Sequence, residues 1–232
     1  MISDTLCVIV ARGGSKGILN KNLQILGDKP LIDWVLEVSK EVFNIEDIFL
    51  STDSDAIAAR GHIHEIDCYP RRPSYLASDT AKVADVIAYT LELVEAKRDK
   101  AYRNLLLLQP TSPFVGAQQI KSCLKLLREG IFKTVISAKK AAANHPSYMF
   151  SVEKNDLSWI YDNNDVRRQD LKDIYLRVGN FYAFKTDLLR VQPISLYGGK
   201  IGFVEVEEHS SLTIDSLHDL RMARCLVNIM EK

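Results

Sequence analysis

Neither charge is in excess in this chain: 30 Lys and Arg are matched by 30 Asp and Glu, so no global field draws it to nucleic acid or to an anionic membrane. Any attraction for phosphate must be local. Cysteine is scarce, and Cys7, Cys68, Cys123 and Cys225 stand far apart with no CxxC pair. That spacing excludes a disulfide framework and a zinc site, and the mostly apolar settings predict reduced core thiols of a cytoplasmic protein. The longest apolar runs are of strand length, too short to span a bilayer, and the opening MISDT has no basic stretch ahead of an apolar one, so no secretory leader is expected. Internal repeats, low-complexity tracts and Pro/Gly linkers are missing too. The 232 residues therefore read as one domain, 1–232, long enough to bury a sizeable core.

What the chain has is an alternation of strand-like and helix-like segments. Strands are predicted at 6–10, 47–51, 64–69, 104–109, 134–138, 179–185 and 201–207, and helices at 30–42, 54–60, 81–97, 118–128 and 216–230. Asp79 or Thr80 could cap the 81–97 helix. The uninterrupted leucines of 104–109 are typical of a central parallel strand buried on both faces. The fold class is α/β, a mostly parallel sheet sandwiched by helices. Residues 140–178, with His145-Pro146, Asn163-Asn164 and many charges, break the alternation, and so long an irregular insertion is usually functional or an interface.

The densest chemistry lies in VIVARGGSKGILNKN, residues 8–22. A short strand runs into a loop where Gly13, Gly14 and Gly17 let backbone N–H groups approach a ligand, while Arg12, Lys16 and Lys21 add three positive charges. A polyphosphate needs that combination. The loop is not a Walker A motif, because Ile18 follows Gly17 where Lys-Ser/Thr is required. It fits the dinucleotide fingerprint only in part, with Arg12 at the first glycine position, although Asp53 after the second strand keeps an NAD-binding reading open. Residues 18–29 lack helical periodicity, so an extended loop, rather than a helix terminus, would hold the phosphates of a nucleoside triphosphate.

Ligands of open parallel sheets bind outside the carboxyl ends of the strands, and this sequence concentrates polar loops there. They are Ser51-Thr52-Asp53-Ser54, Arg71-Arg72-Pro73 with Leu76 to Ala81, and Gln109-Pro110-Thr111-Ser112-Pro113. Gln109, Thr111 and Ser112 offer neutral hydrogen bonds to a polyhydroxylated substrate. Asp215, just before the last helix, reads either as its N-cap or as a ligand of Mg²⁺, which often takes only one or two protein carboxylates. His62 and His64 would share a face of an extended segment and read as surface or packing residues. Trp34 and Trp159 are given no functional role.

Together these segments resemble the N-acylneuraminate cytidylyltransferases. The matches are ARGGSKGI with Lys21-Asn22, STDS at 51–54, RRPSYLASDTA at 71–81, LLLQPTSPF at 106–114, Asn144-His145-Pro146, Arg168-Gln169 followed by Gly179 and Tyr182, and IDSLHDL at 214–220. The resemblance implies a Rossmann-like fold of the nucleotide-diphospho-sugar transferase type. The implied reaction transfers CMP from CTP to the anomeric hydroxyl of a nine-carbon 2-keto sugar acid of neuraminic, legionaminic or pseudaminic type, releasing pyrophosphate.

By position, Ala11, Arg12, Gly13, Ser15, Lys16, Lys21 and Asn22 would hold the triphosphate, with Arg72 and Ala81 near the cytidine. Gln109, Thr111, Ser112, Gln169 and Tyr182 would meet the sugar, and Arg168 its carboxylate. Arg12, Lys21 and Asp215 would carry catalysis, and Asp215 would bind Mg²⁺. The resemblance also makes residues 140–178 a dimerisation segment whose Arg168 serves the neighbouring protomer.

Four positions depart from the family pattern. Thr213 replaces the first acid of the usual Asp-x-Asp, Val178-Gly179 replaces Asn-Gly, Phe114-Val115 replace an arginine after the PTSP turn, and Tyr148 replaces a lysine. All four lie on the sugar or metal side, so metal binding would lean more on the incoming triphosphate. The related Kdo cytidylyltransferases carry an acid where this chain has Gln109. They remain an alternative, as does a catalytically impaired nucleotide-binding homologue.

Overall fold

The computed structural model describes residues 4–15, 17–161 and 167–230. Its strands are β1 (Thr5–Val10), β2 (Ile25–Leu26), β3 (Lys29–Pro30), β4 (Ile48–Ser51), β5 (Asn104–Leu108), β6 (Thr134–Lys140), β7 (Phe150–Glu153), β8 (Asp156–Trp159), β9 (Tyr175–Lys185) and β10 (Ile201–Glu205). The α-helices are α1 (Leu31–Lys40), α2 (Asp55–Ile63), α3 (Val83–Arg98), α4 (Ala117–Arg128) and α5 (Leu217–Met230). Six strands form one sheet in the order β10-β6-β9-β5-β1-β4. Only β9 runs against its neighbours, so the sheet is mostly parallel, as the alternation predicts.

Side-chain alternation along the strands explains the two-sided core. From β1, Cys7 and Ile9 join Leu106, Leu108, Phe181 and Ala183 under α1, α2 and α4, while Leu6 and Val8 join Leu105, Leu107 and Phe184 under α3. This is why β5 is nearly all leucine: helices cover both of its faces. It is parallel to β1 but antiparallel to β9, so the fully parallel setting expected of it holds on one side only. On α4, Ile120, Cys123, Leu124 and Leu127 keep the i, i+3, i+4, i+7 spacing of a single buried stripe. A third cluster seats α5, through Leu220, Ala223 and Val227, against Ile18, Leu26, Leu31, Phe114 and Ile214.

Three expectations need correction. The strand expected at 64–69 shrinks to one bridge, Phe49 with Asp67. Glu65 adopts a left-handed φ of 62°, which ends α2 in a tight turn and leaves too little extended chain for a ladder. His62 consequently belongs to α2, where its ring stacks on Tyr69. Second, neither Asp79 nor Thr80 caps α3, which begins at Val83 after a Lys82 that makes no side-chain cap bond. Asp79 instead pairs with Arg12. Third, the irregular stretch is shorter than expected, because β6 runs on to Lys140, β9 starts at Tyr175, and a β7–β8 hairpin lies between.

Candidate active site

The carboxyl edge of the sheet opens into a cleft of about 280 Å³. It is lined by Val10, Arg12, Gly14, Ser15, Lys21, Asn22, Arg72, Leu76, Ser78, Asp79, Ala81, Val83, Val86, Gln109, Pro110 and Thr111. Three loops named from sequence thus converge. The loop after β1 provides the cations, the 72–83 segment forms the opposite wall, and the turn after β5 closes one end.

The glycine loop is braced from several directions. Gly13 N–H donates to Asp53 Oδ1 at 2.9 Å, and Asn22 Nδ2 donates to the Arg12 carbonyl at 3.0 Å. Asp53 therefore serves the loop itself, in place of the ribose contact that a dinucleotide reading would give it. Ser54 of the same STDS turn caps α2, its Oγ accepting from Ile57 N–H at 3.4 Å.

Lys21 ties the loop to the tail. Its Nζ donates to the Ile214 carbonyl at 2.9 Å and to Asp215 Oδ1 at 3.0 Å. The tail is held in turn by Ile214 N–H donating to the Thr111 carbonyl at 2.7 Å. Gly17 permits this closeness, since a Cβ there would stand 2.6 Å from the Asp215 carbonyl oxygen, whereas one on Gly14 meets nothing within 4 Å. Gly17→Ala is accordingly expected to cost about 1–3 kcal/mol and to displace the loop from the tail, with Gly14→Ala nearly silent. Equal thermal midpoints for the two variants would refute the contact.

Electrostatically the cleft is cationic and incompletely neutralised. Arg12 Nη1 lies 2.6 Å from Asp79 Oδ1, pinning the two walls together. Arg72 is buried, its Nη2 donating to the Ser51 carbonyl at 2.6 Å, while its Nε has no hydrogen-bond partner. Burial pushes its pKa down to about 10, against the pull of Asp53 and with help from Arg12. It still carries its charge at neutral pH. A buried guanidinium with an orphaned donor is costly unless a polar or anionic group completes it.

At the other end, Gln109 and Thr111 are half-buried and line the cleft. Ser112 is fully buried, and its Oγ and Thr213 Oγ1 lie 3.3 Å apart, so it is engaged with the tail rather than facing the cavity. Tyr182, half-buried opposite Leu107 of β5, packs against the core cluster under α3 and is not among the residues lining the cleft, contrary to its expected sugar contact. Gln169 lines a separate cavity with Lys140, His145 and Lys172, away from the other expected sugar contacts. Ala11 is buried at the strand end. Lys16 and the Arg168 side chain fall outside the described residues.

Sequence reasoning missed Asp79 as a cleft residue, along with Ser78, Leu76, Val83 and Val86. All stand in or just after the RRPSYLASDTA segment, so their grouping was the available signal. Phe114, in place of the family arginine, is core, packing edge-on against Trp34 at 5.8 Å.

The N-cap of α5 proves to be Ser216, not Asp215. Ser216 Oγ accepts from Asp219 N–H at 3.3 Å, and Asp219 Oδ2 accepts from Ser216 N–H at 2.7 Å, a reciprocal capping box. The Asp215 carboxylate, 73% exposed, has no capping role. Among the described residues no group of three or more His, Cys, Asp or Glu is placed to hold a metal. One exposed carboxylate beside Lys21 at the cleft still fits Mg²⁺, which takes most of its octahedron from substrate phosphates and water. It does not fit a metal needing an all-protein cage. No helix among the described residues is long and apolar enough to cross a membrane.

Known proteins resemble this chain over nearly its whole length. The chain is 27% identical over 226 residues to post-translational flagellin modification protein B of Campylobacter coli, covering 97% of this chain and 96% of that one. It is 25% identical to the CMP-N,N'-diacetyllegionaminic acid synthase of Campylobacter jejuni, covering 98% and 97%. It is 28% identical to the N-acylneuraminate cytidylyltransferase of Escherichia coli, covering 96% of this chain but 52% of that one.

In fold it is similar to a CMP:2-keto-3-deoxy-manno-octonic acid synthetase solved with CTP, with TM-score 0.70, 19% identity, and coverage of 98% and 100%. It is similar also to a 4-diphosphocytidyl-2C-methyl-D-erythritol synthase, with TM-score 0.67, 12% identity, and coverage of 98% and 100%. The family model described as "Cytidylyltransferase" matches residues 6–229, and with nearly the whole chain covered, this protein belongs to the cytidylyltransferase family, whose members use CTP.

Proposed function

We propose that the protein transfers CMP from CTP to the anomeric hydroxyl of a nine-carbon 2-keto sugar acid. In this reaction the anomeric oxygen forms a bond to the α-phosphorus as the α–β P–O bond breaks; pyrophosphate leaves with the electron pair and the hydroxyl proton passes to solvent. The observation that carries this reading is the convergence of Arg12, Lys21 and Arg72 on one cleft that ends in the neutral groups Gln109 and Thr111. A triphosphate matches the cationic part and a polyhydroxylated acceptor the neutral part. Two relatives of similar identity are named for legionaminic and N-acylneuraminic acids.

Within that scheme Arg12, Ser15, Lys21 and Asn22, with Ala11, Gly13 and Lys16 of the same loop, receive the phosphates. Arg72 and Ala81 receive the cytidine end. Phosphoryl chemistry depends mainly on alignment and on placing positive charge where negative charge builds up, and preformed cations in a braced loop meet both needs. Arg12 must exchange Asp79 for phosphate when CTP enters, because a carboxylate and a triphosphate compete for one guanidinium. Asp215 would hold Mg²⁺ brought in with CTP, and the metal would supply positive charge against the pyrophosphate. Gln109 and Thr111 face the sugar, while Ser112, turned to Thr213, and Tyr182, packed in the core, support the turn and strand behind them, and Gln169 lies apart in its own cavity.

The insertion, 140–178, forms a dimer contact within the single domain 1–232, bringing Arg168 to the neighbouring site. Its hairpin supports this, since Phe150, Val152, Leu157, Trp159 and Ile160 are 44–63% exposed, an apolar surface that a partner would cover.

The test is pyrophosphate release from CTP and Mg²⁺ with neuraminic, legionaminic and pseudaminic acids and with Kdo. Turnover of at least one nine-carbon acid, with Kdo inactive, is expected. Kdo alone active would select the eight-carbon reading. One observation favours an impaired homologue: Thr213 stands in the usual acidic position with its hydroxyl close to Ser112. CTP binding without turnover of any acid would select that reading.

A further inference from the structure

We infer that Arg177, with the phenol of Tyr197, adds a donor in cis to the carboxylate-binding end of the acceptor site, alongside the Arg168 that the neighbouring protomer brings. The inference rests on the proposed sugar-acid reaction and adds a residue to it. β9 runs antiparallel to β5, with Phe181 opposite Leu108, so residues preceding Phe181 rise past the strand end that carries Gln109. Gly179 confirms the path: a Cβ there would stand 3.7 Å from Gln109 Oε1 and 3.5 Å from Thr213 Oγ1. Beyond it, a register shift opposite Ile136 and Ala138 re-aims the strand just where Arg177 emerges.

The surroundings of Arg177 are chemically specific. Its Nη1 donates to the Tyr197 hydroxyl, and its guanidinium lies over the Tyr197 ring, 5.4 Å from the centroid. That ring meets Tyr182 edge-on at 6.5 Å, which connects Arg177 to the residue opposite Leu107 of β5, two positions before Gln109. The 194–197 turn carrying Tyr197 is anchored, with Thr134 Oγ1 donating to the Leu196 carbonyl at 2.9 Å and Tyr197 N–H donating to Ser195 Oγ at 3.1 Å. The platform is therefore preformed, yet Arg177 is exposed and Tyr197 is 43% exposed.

Arg177 also differs from the cations of the nucleotide side in what it lacks. Arg12 is paired with Asp79 and Lys21 with Asp215. Among the described residues no carboxylate lies within salt-bridge distance of Arg177. A guanidinium has five N–H donors in a planar fork that matches a carboxylate, and here its aromatic support holds the plane still. A keto sugar acid offers one carboxylate next to the anomeric carbon, and tyrosine faces suit the C–H side of a pyranose ring. Gln109 and Arg177 would then span that ring from its hydroxyls to its acid group.

The experiment measures CTP affinity by calorimetry and steady-state kinetics with the accepted acid and with its carboxamide, for wild type, Arg177→Ala and Tyr197→Phe. Arg177→Ala is expected to raise KM for the acid on the order of ten- to a hundredfold, leaving the CTP Kd within about twofold. The carboxamide is expected to bind wild type poorly and to lose little more in the variant. Tyr197→Phe, which keeps the ring, should raise KM by about threefold and serves if Arg177→Ala fails to fold. An unchanged KM, or equal losses for acid and amide, would overturn the assignment. Wild type that binds CTP but turns over no keto acid rejects the proposed reaction and this inference together, whereas active wild type with an indifferent Arg177→Ala rejects only the latter.

Discussion

Lys21→Ala is expected to lower kcat/KM by about 10²–10³, with the CTP Kd rising on the order of tenfold or more. Two consequences of one substitution add up here. The variant removes a positive charge from the proposed triphosphate site, which would have to accommodate several phosphate charges, and it cuts the tie from the glycine loop to the Ile214 carbonyl and Asp215. Folding should be affected much less, because Asp215 is 73% exposed and exposed ion pairs contribute at most about 1 kcal/mol. Titration calorimetry with CTP, thermal unfolding without it, and pyrophosphate release separate these effects. An unchanged CTP affinity would remove the loop from the triphosphate site. Lys21→Arg keeps the charge on a wider, planar head, so partial recovery of binding with poor turnover is the expected intermediate.

How much of this was legible beforehand varied with the physics behind each feature. The loop after β1 was readable because glycines and cations packed into so few residues have few other uses, and the leucines of β5 because a strand buried on both faces cannot hide its composition. The short segment 64–69 was misread as a strand. Its apolar residues Ile66 and Cys68 do point into the core, but burial pattern alone does not say whether a neighbour is long enough to pair with. The reversal of β9 was not legible either, since strand direction depends on the path of the insertion before it.

Within the site, composition identified Arg12 but could not reveal that Asp79, near in space and 67 positions away, would grip it. Likewise Ser112 and Gln109 belong to one turn with the same polar character. Only their directions in space assign Gln109 to the cleft and Ser112 to the tail. The same limit hid Arg177, which resembles any charged residue of a strand until Tyr197, from a loop twenty residues later, is seen beneath it.

Asp215→Asn should dissociate activity from folding. Ser216 and Asp219 cap α5 reciprocally, and the Asp219 carboxylate also accepts from Asp215 N–H at 3.0 Å. These hydrogen bonds, that from Ser216 foremost, hold the Asp219 carboxyl below its usual pKa. The helix thus needs the Asp215 backbone but not its carboxylate. Turnover should fall by about 10² as the metal loses its protein anchor, with the thermal midpoint moving by only about a degree or two.

Raising Mg²⁺ should recover part of the loss in Asp215→Asn, since the deficit would lie in holding the ion with CTP. Asp219→Ala should behave in the opposite way, losing about 1 kcal/mol of stability while keeping most of its turnover at a temperature where it is folded. Paired measurements of unfolding and pyrophosphate release across a Mg²⁺ series discriminate sharply. If Asp215→Asn retains full activity, or if its loss simply tracks a lower melting temperature, Asp215 is not the metal carboxylate, and the cations of the cleft must align the triphosphate with an ion bound by the phosphates alone.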